Sequence, residues 1–288
     1  MITSDALVED VHFLRGAMSA ADVGWRALVS NVSDLAAMGA RPVLATVALG
    51  LPRSVHEQWV LDCYRGMAEA AKRYRIAIVG GDIVRAPSVF LSITATGEVR
   101  SSNRKTRSGA RPGDVFAVTG PLGASRAGVE ILLDRPDLAD DASFANALQA
   151  YRRPHARVRE GRGLSGSRAV HAMMDISDGL STDLRRMCTA SKVGARIDAA
   201  DVPLSDVAKA LAERTGRDSL GYGLGGGEEF ELLVAVAPRA FRTVAQRFRA
   251  AFSLPLVRIG VATAEPSIVL CAAGEQRELA PSGWESLG

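Results

Sequence analysis

Stretches with helical spacing of apolar residues alternate with short apolar runs from the first residues onward. That alternation excludes an all-helical or all-strand chain and requires a mixed α and β architecture. Asp22 is placed to cap a helix through Trp25, Leu28, Val32, Leu35 and Met38, with Gly39 and Pro42 as its stop. Residues 43–49 read as a strand. Pro52 and Ser54 open a second helix through Trp59, Cys63, Met67 and Ala71. Residues 76–79 then form a short strand ending in Gly80-Gly81-Asp82, and 90–99 a longer one. The run 107–114 is rich in turn formers and precedes a fresh strand at 115–119, so a domain boundary is expected there, dividing 1–112 from 113–288. The second half repeats the alternation. Its landmarks are Met173 to Leu180 leading into a helix, helices over 205–214 and 238–252, and a strand after Gly225-Gly226-Gly227.

A chain of 288 residues is long enough to bury two cores, and 47% hydrophobic with 23% charged residues argues against disorder. Aromatic residues are only 5%, which removes the stacking platforms that single-stranded nucleic-acid binders use. The densest basic cluster, Arg152, Arg153, Arg157, Arg159 and Arg162, has only Tyr151 beside it, so no nucleic-acid partner is expected. Cys63, Cys188 and Cys271 stand far apart, without CxxC spacing, which suggests neither a zinc site nor a disulfide framework. No apolar run approaches the roughly 18 residues of a membrane span, and the start lacks a secretion signal. A cytoplasmic protein without a membrane partner is expected.

Candidate chemistry centres on five aspartates, Asp5, Asp34, Asp82, Asp175 and Asp178, each read at or beside the junction of an apolar segment with a turn or helix. Taken singly, an aspartate in such a place is an ordinary cap or turn residue. As a set without accompanying His or Cys, they offer the hard oxygen donors that suit Mg²⁺. Asp175 and Asp178 form the best pair, with Ser177 between them placed to donate to a phosphate oxygen. The glycines of Gly80-Gly81 and Gly225-Gly226-Gly227 permit close backbone approach to a nucleotide. No Walker A loop, dinucleotide fingerprint or GxSxG elbow occurs, which disfavours P-loop kinases, Rossmann dehydrogenases and covalent hydrolases. Of the four histidines, His12 alone lies near the candidate cluster in sequence.

Six segments, in this order, resemble thiamine-monophosphate kinases: residues 3–13, Asn31 to Gly39, Gly80-Gly81-Asp82, Arg107 to Ala110, Asp175 to Leu180 and Gly227 to Leu232. The resemblance spans nearly the whole chain. It implies a two-domain PurM-like α/β (α+β) fold whose N-terminal mixed sheet pairs in a homodimer, followed by a C-terminal α+β domain. It further implies direct, in-line transfer of a phosphoryl group from ATP to thiamine monophosphate, assisted by several Mg²⁺ ions. By matching position, Ser4, Asp5, Asp34, Asp82, Asp175 and Asp178 are implied as metal-site residues. Tyr64, Gly81, Asp82, Arg107 and Ser177 are implied as ATP contacts, and His12, Glu228 and Trp284 as substrate contacts. An ATP-binding relic of the same fold, or another ATP-using relative, is the alternative expectation. The chain departs from the pattern at Glu229, where the family often has Asp. It also starts at Met1, where the family usually carries a Gly-Asp-Asp segment shortly before the position of Asp5; the N-terminal domain is therefore expected to lack that motif and a first strand segment.

Overall fold

The computed structural model describes residues 1–283. The first domain pairs two helices with a four-stranded sheet. Its elements are β1 (Ile2–Val8), α1 (Ala20–Ala37), β2 (Arg41–Leu51), α2 (Glu57–Tyr74), β3 (Ala77–Arg85) and β4 (Phe90–Glu98). The strand order is β1-β4-β2-β3, antiparallel except where β2 and β3 run parallel. Strand alternation decides which face is covered. Ala45, Val47 and Leu49 of β2 and Leu91, Ile93 and Ala95 of β4 are buried with the helices, in one core with Leu28, Val32, Cys63 and Met67. The opposite face carries small and polar residues, among them Thr46, Ala48, Ser92 and Thr94, which are at least partly exposed.

The second domain continues with β5 (Val115–Thr119), α3 (Ala124–Leu133), α4 (Ala145–Arg152), α5 (Val158–Ser165), β6 (Val170–Asp175), α6 (Leu180–Ser191) and β7 (Gly194–Asp198). It ends with α7 (Asp206–Thr215), α8 (Ser219–Gly225), β8 (Leu232–Val236), α9 (Phe241–Phe252), β9 (Leu256–Thr263), β10 (Ile268–Ala272) and β11 (Glu275–Glu278). The seven strands order as β11-β10-β7-β9-β5-β8-β6, parallel only between β7 and β10. Strands β5 and β8 are buried at every position, as central strands covered on both faces must be.

Three readings from sequence shift. Ser19, not Asp22, caps α1: its hydroxyl accepts the Asp22 N–H at 3.2 Å, and Asp22 sits in the first turn. Gly80-Gly81-Asp82 lies inside β3 rather than at its end, because β3 continues to pair with β2 as far as Arg85. Asp5 likewise lies within β1 and Asp34 within the last turn of α1; of the five aspartates only Asp175 and Asp178 stand at an element's end.

The two domains meet along α1. The indole N–H of Trp25 donates to the Pro154 carbonyl at 2.9 Å, the Ser33 hydroxyl reaches Asp175, and Arg26 reaches Glu228. No helix among the described residues is long and apolar enough to cross a membrane.

Candidate active site

A cavity of about 770 Å³ opens where β1, α1, the start of α6 and the glycine-rich segment 225–228 converge. Its acidic end is built by α1. Helical spacing of four puts Arg26, Ser30 and Asp34 on one face, and all three line the cavity. Asp34 is held by the Thr3 hydroxyl of β1, while Asn31 accepts the Asp5 N–H at 3.2 Å and Ser33 donates to Asp175 at 2.6 Å. One turn of helix thereby fixes the backbone at Asp5 of β1 and the carboxylate of Asp175 at the end of β6.

Asp178 is positioned by hydrogen bonds that the sequence reading missed. The buried Asp183 carboxylate accepts the N–H groups of Ser177 and Asp178 at 3.1 and 3.0 Å, and Arg186 bridges Asp183 to Asp178. The facing segment is zipped to this loop. Glu228 N–H donates to the Ser177 carbonyl at 2.7 Å, and Phe230 N–H to the Ile176 carbonyl at 2.9 Å. A Cβ on Gly227 would stand 2.9 Å from the Ser177 carbonyl oxygen, too close for any other residue without a shift.

Asp5, Asp34, Asp175 and Asp178 all line this cavity, so their charges act on one another. Burial first, then repulsion from Asp34 and Asp178, lifts the Asp5 carboxyl to about 6. Burial also raises Asp34, against the Thr3 hydrogen bond and the nearby Arg107 charge. Asp175 is raised well above the usual carboxylate range by burial and by Asp34. A pole of mutually repelling oxygen donors without His or Cys is chemically matched to Mg²⁺. Among the described residues no three carboxylates close into a cage. Mg²⁺ does not require one, since it keeps waters and commonly uses one or two carboxylates plus substrate phosphates.

At the other end of the cavity stand His12, Tyr151, Arg26 and Glu228. The His12 Nδ1 accepts the Val8 N–H at 3.1 Å; burial, then the Arg26 charge, lowers the imidazole pKa and favours the neutral ring. Glu229 does not join them. Its longer side chain turns back to the start of α3, accepting the N–H groups of Gly123 and Ser125 at 2.9 and 3.1 Å. Burial, with Glu231 nearby, pushes its carboxyl up to about 8.

The remaining residues named from sequence lie elsewhere. Ser4 and Asp82 sit on the open face of the first sheet; Ser4 accepts the Thr94 hydroxyl at 3.2 Å. Through the register Asp82–Ala48–Ser92–Ala6, Asp82 and Gly81 lie three strands from β1. At the usual strand spacing that is roughly 14 Å, beyond a shared metal within one protomer. Tyr64 packs partly buried on α2 against the first core. Arg107 lines a second cavity of about 490 Å³ with Thr182, Arg185 and Arg186. Trp284 lies outside the described residues.

The architecture and cavity define a class, and comparison with known proteins agrees. Residues 1–99 match the family model for the N-terminal domain of AIR synthase related proteins, and residues 111–271 the model for their C-terminal domain. The thiamine-monophosphate kinase of Rhodopirellula baltica is 34% identical over 258 residues, covering 89% of this chain and 73% of that protein. The crystal structure of thiamine-monophosphate kinase from Stenotrophomonas maltophilia superposes with a TM-score of 0.87 at 34% identity, covering 97% of this chain and 86% of that one. AaThiL complexed with AMPPCP and TMP superposes with a TM-score of 0.88 at 31% identity, covering 99% and 86%. The chain belongs to the thiamine-monophosphate kinase family.

Proposed function

We propose that the protein transfers the γ-phosphoryl group of ATP directly to the phosphate of thiamine monophosphate, giving thiamine diphosphate. The observation that carries this reading is the two-ended cavity. Four carboxylates that repel one another line it, and two turns back along α1 stands Arg26, paired with Glu228 and stacked on Tyr151, in the same cavity. Family membership supplies the reaction that such a cavity serves.

Two phosphorylated anions must meet in line, and unit charges about 4 Å apart repel by roughly 1 kcal/mol even in water. Bound Mg²⁺ supplies neutralisation of both phosphate chains and of the loose transition state. Asp5, Asp34, Asp175 and Asp178 are the residues that would hold it. Thr3, Asn31 and Ser33 fix the positions of the Asp34 carboxylate, the Asp5 backbone and the Asp175 carboxylate before substrates arrive. Ser177 offers a hydroxyl beside them, and Arg107 contributes a fixed positive fork from the neighbouring cavity. Positioning and electrostatics are the whole task assigned to the protein; no residue is asked to carry the phosphoryl group.

The homodimer reading rests on the first sheet. Its open face is uncovered, and the edge strand β3 exposes Val79, Ile83 and Val84. A second protomer laid on this face would bring a partner's β3, with Gly81 and Asp82, toward the acidic end of the cavity. We place the boundary between the domains at residue 112, between the two sheets, and the protein in the cytoplasm.

The substitutions Asp34→Asn and Asp175→Asn test the carboxylate assignment. Each is expected to lower turnover about 100-fold or more, the order of a lost transition-state electrostatic contact, while the thermal melt is retained. Turnover unchanged in a folded variant would remove that residue from the site.

A further inference from the structure

Three arginines line the second cavity, and two of them are matched within the chain. Arg186 pairs with Asp178 and Asp183, and Arg185 donates to the Leu279 carbonyl at 2.7 Å and lies 3.8 Å from Glu278. Arg107 is exposed, and its guanidinium makes no hydrogen bond or ion pair among the described residues. A long, flexible side chain without a partner is aimed by the backbone that carries it. That backbone belongs to neither sheet. Residues 107–110 join the two domains, and Ser191, the last residue of α6, pins them. Its hydroxyl accepts the N–H groups of Gly109 and Ala110, each at 3.1 Å, and donates to the Arg107 carbonyl at 3.2 Å. A hydroxyl has one proton and two lone pairs, and here all three serve one short segment. From the other side β6 closes against it: a Cβ on Gly109, whose φ is +124°, would stand 2.6 Å from the His171 carbonyl oxygen.

The same helix holds Asp178 from its other end, through Asp183. Asp183 and Ser191 are eight residues apart, about 12 Å along the axis. Leu180, Leu184, Met187 and Cys188 bury the inner face of α6 in the second core, which keeps that length fixed.

We infer that Ser191 is a positioning residue for phosphoryl transfer: it aims the Arg107 fork at the phosphate chain of the nucleotide, at the separation from Asp178 that α6 sets. This inference rests on the reading that Arg107 meets ATP. Without the Ser191 hydroxyl the segment still runs along β6, but the hold on the Arg107 carbonyl and on the two N–H groups beyond it is lost. The guanidinium then spreads over more positions, and a bound phosphate chain meets it less often.

The test is a double-mutant cycle in the full chain, with ATP, thiamine monophosphate and Mg²⁺. Arg107→Met is expected to lower kcat/KM for ATP by about 100-fold, the order of a charge-assisted phosphate contact. Ser191→Ala is expected to lower it by about tenfold, with KM for thiamine monophosphate within about twofold of native. Ser191→Thr restores the hydroxyl and is expected to stay within about threefold of native. Added to Arg107→Met, Ser191→Ala is expected to lower kcat/KM for ATP by less than about twofold more, because its effect runs through Arg107. Ser191→Val keeps the bulk of threonine without the hydroxyl and repeats the test if Ser191→Ala fails to fold. A folded Ser191→Ala protein with native kcat/KM for ATP overturns the inference, as does an equal loss in both backgrounds or a threonine variant as impaired as the alanine one. Native kinetics in Arg107→Met overturn the Arg107 assignment and the inference with it. A native protein that leaves thiamine monophosphate unphosphorylated overturns the kinase reading on which both stand.

Discussion

Charges taken out of water dominate at the scale of single residues. His155 shows this outside the active site. Its Nδ1 lies 2.9 Å from the Tyr74 hydroxyl and 3.1 Å from Arg73, and burial, then the Arg157 and Arg73 charges, lowers it to about 4. The folded state thus stays unprotonated where the unfolded chain, titrating near 6.5, takes a proton. Stability must fall as pH drops from about 6.5 to about 4, by about 1–2 kcal/mol at pH 5. Urea unfolding at pH 5 and 7 should show that loss, and His155→Gln should shrink it; an equal loss in the variant would contradict the assignment. At this scale the sequence was only partly readable. Aspartates are visible as a set, but nothing in spacing distinguishes Asp5 and Asp34, which face the cavity, from Asp82, which a parallel pairing carries to the far edge of the sheet. Arg26 left one trace, its spacing of four residues from Ser30 and eight from Asp34. Asp183 left none, since its role is to accept backbone N–H groups that exist only once the loop is folded.

Among elements, α1 is the organiser, and its fit against α2 depends on two glycines. A Cβ at Gly24 would collide with the Cys63 carbonyl, and one at Gly66 with the Ala21 carbonyl. Both obstacles are backbone, which cannot swing aside. Gly66→Ala gains about 1 kcal/mol of helix propensity, yet is expected to destabilise the protein by about 2 kcal/mol or more, because the helices must separate. Chemical denaturation measures this directly, and a neutral or stabilised variant would show that the helices can part cheaply. Helices α1 and α2 were legible because 3.6-residue periodicity extends over four turns and more. Helices α4, α5 and α8 were not, being seven or eight residues long, too short for a period to register. The second sheet's later strands escaped for a related reason. Strand β11 is four charged and polar residues exposed at the sheet's edge, with no apolar alternation to register, while β9 and β10 are mostly apolar but short, and a short apolar run does not by itself separate a strand from a buried helical segment.

For the whole molecule, the two sheets leave one large surface uncovered, and the candidate residues Ser4, Gly81 and Asp82 all belong to the sheet that bears it. If a second protomer brings Asp82 to its neighbour's cavity, an Asp82→Asn protein and an Asp34→Asn protein are each nearly inactive alone. Unfolded together and refolded as an equal mixture, they should recover about a quarter of native turnover, since half the dimers are mixed and each mixed dimer has one intact site. No recovery, with mixed dimers demonstrated, would place Asp82 outside the shared site. The central claim is tested most directly by following phosphorus-31 resonances of the native protein with ATP, thiamine monophosphate and Mg²⁺. The account predicts thiamine diphosphate and ADP appearing one for one, and stopping when the magnesium is chelated. ATP bound but not consumed, with thiamine monophosphate left unchanged, would contradict it.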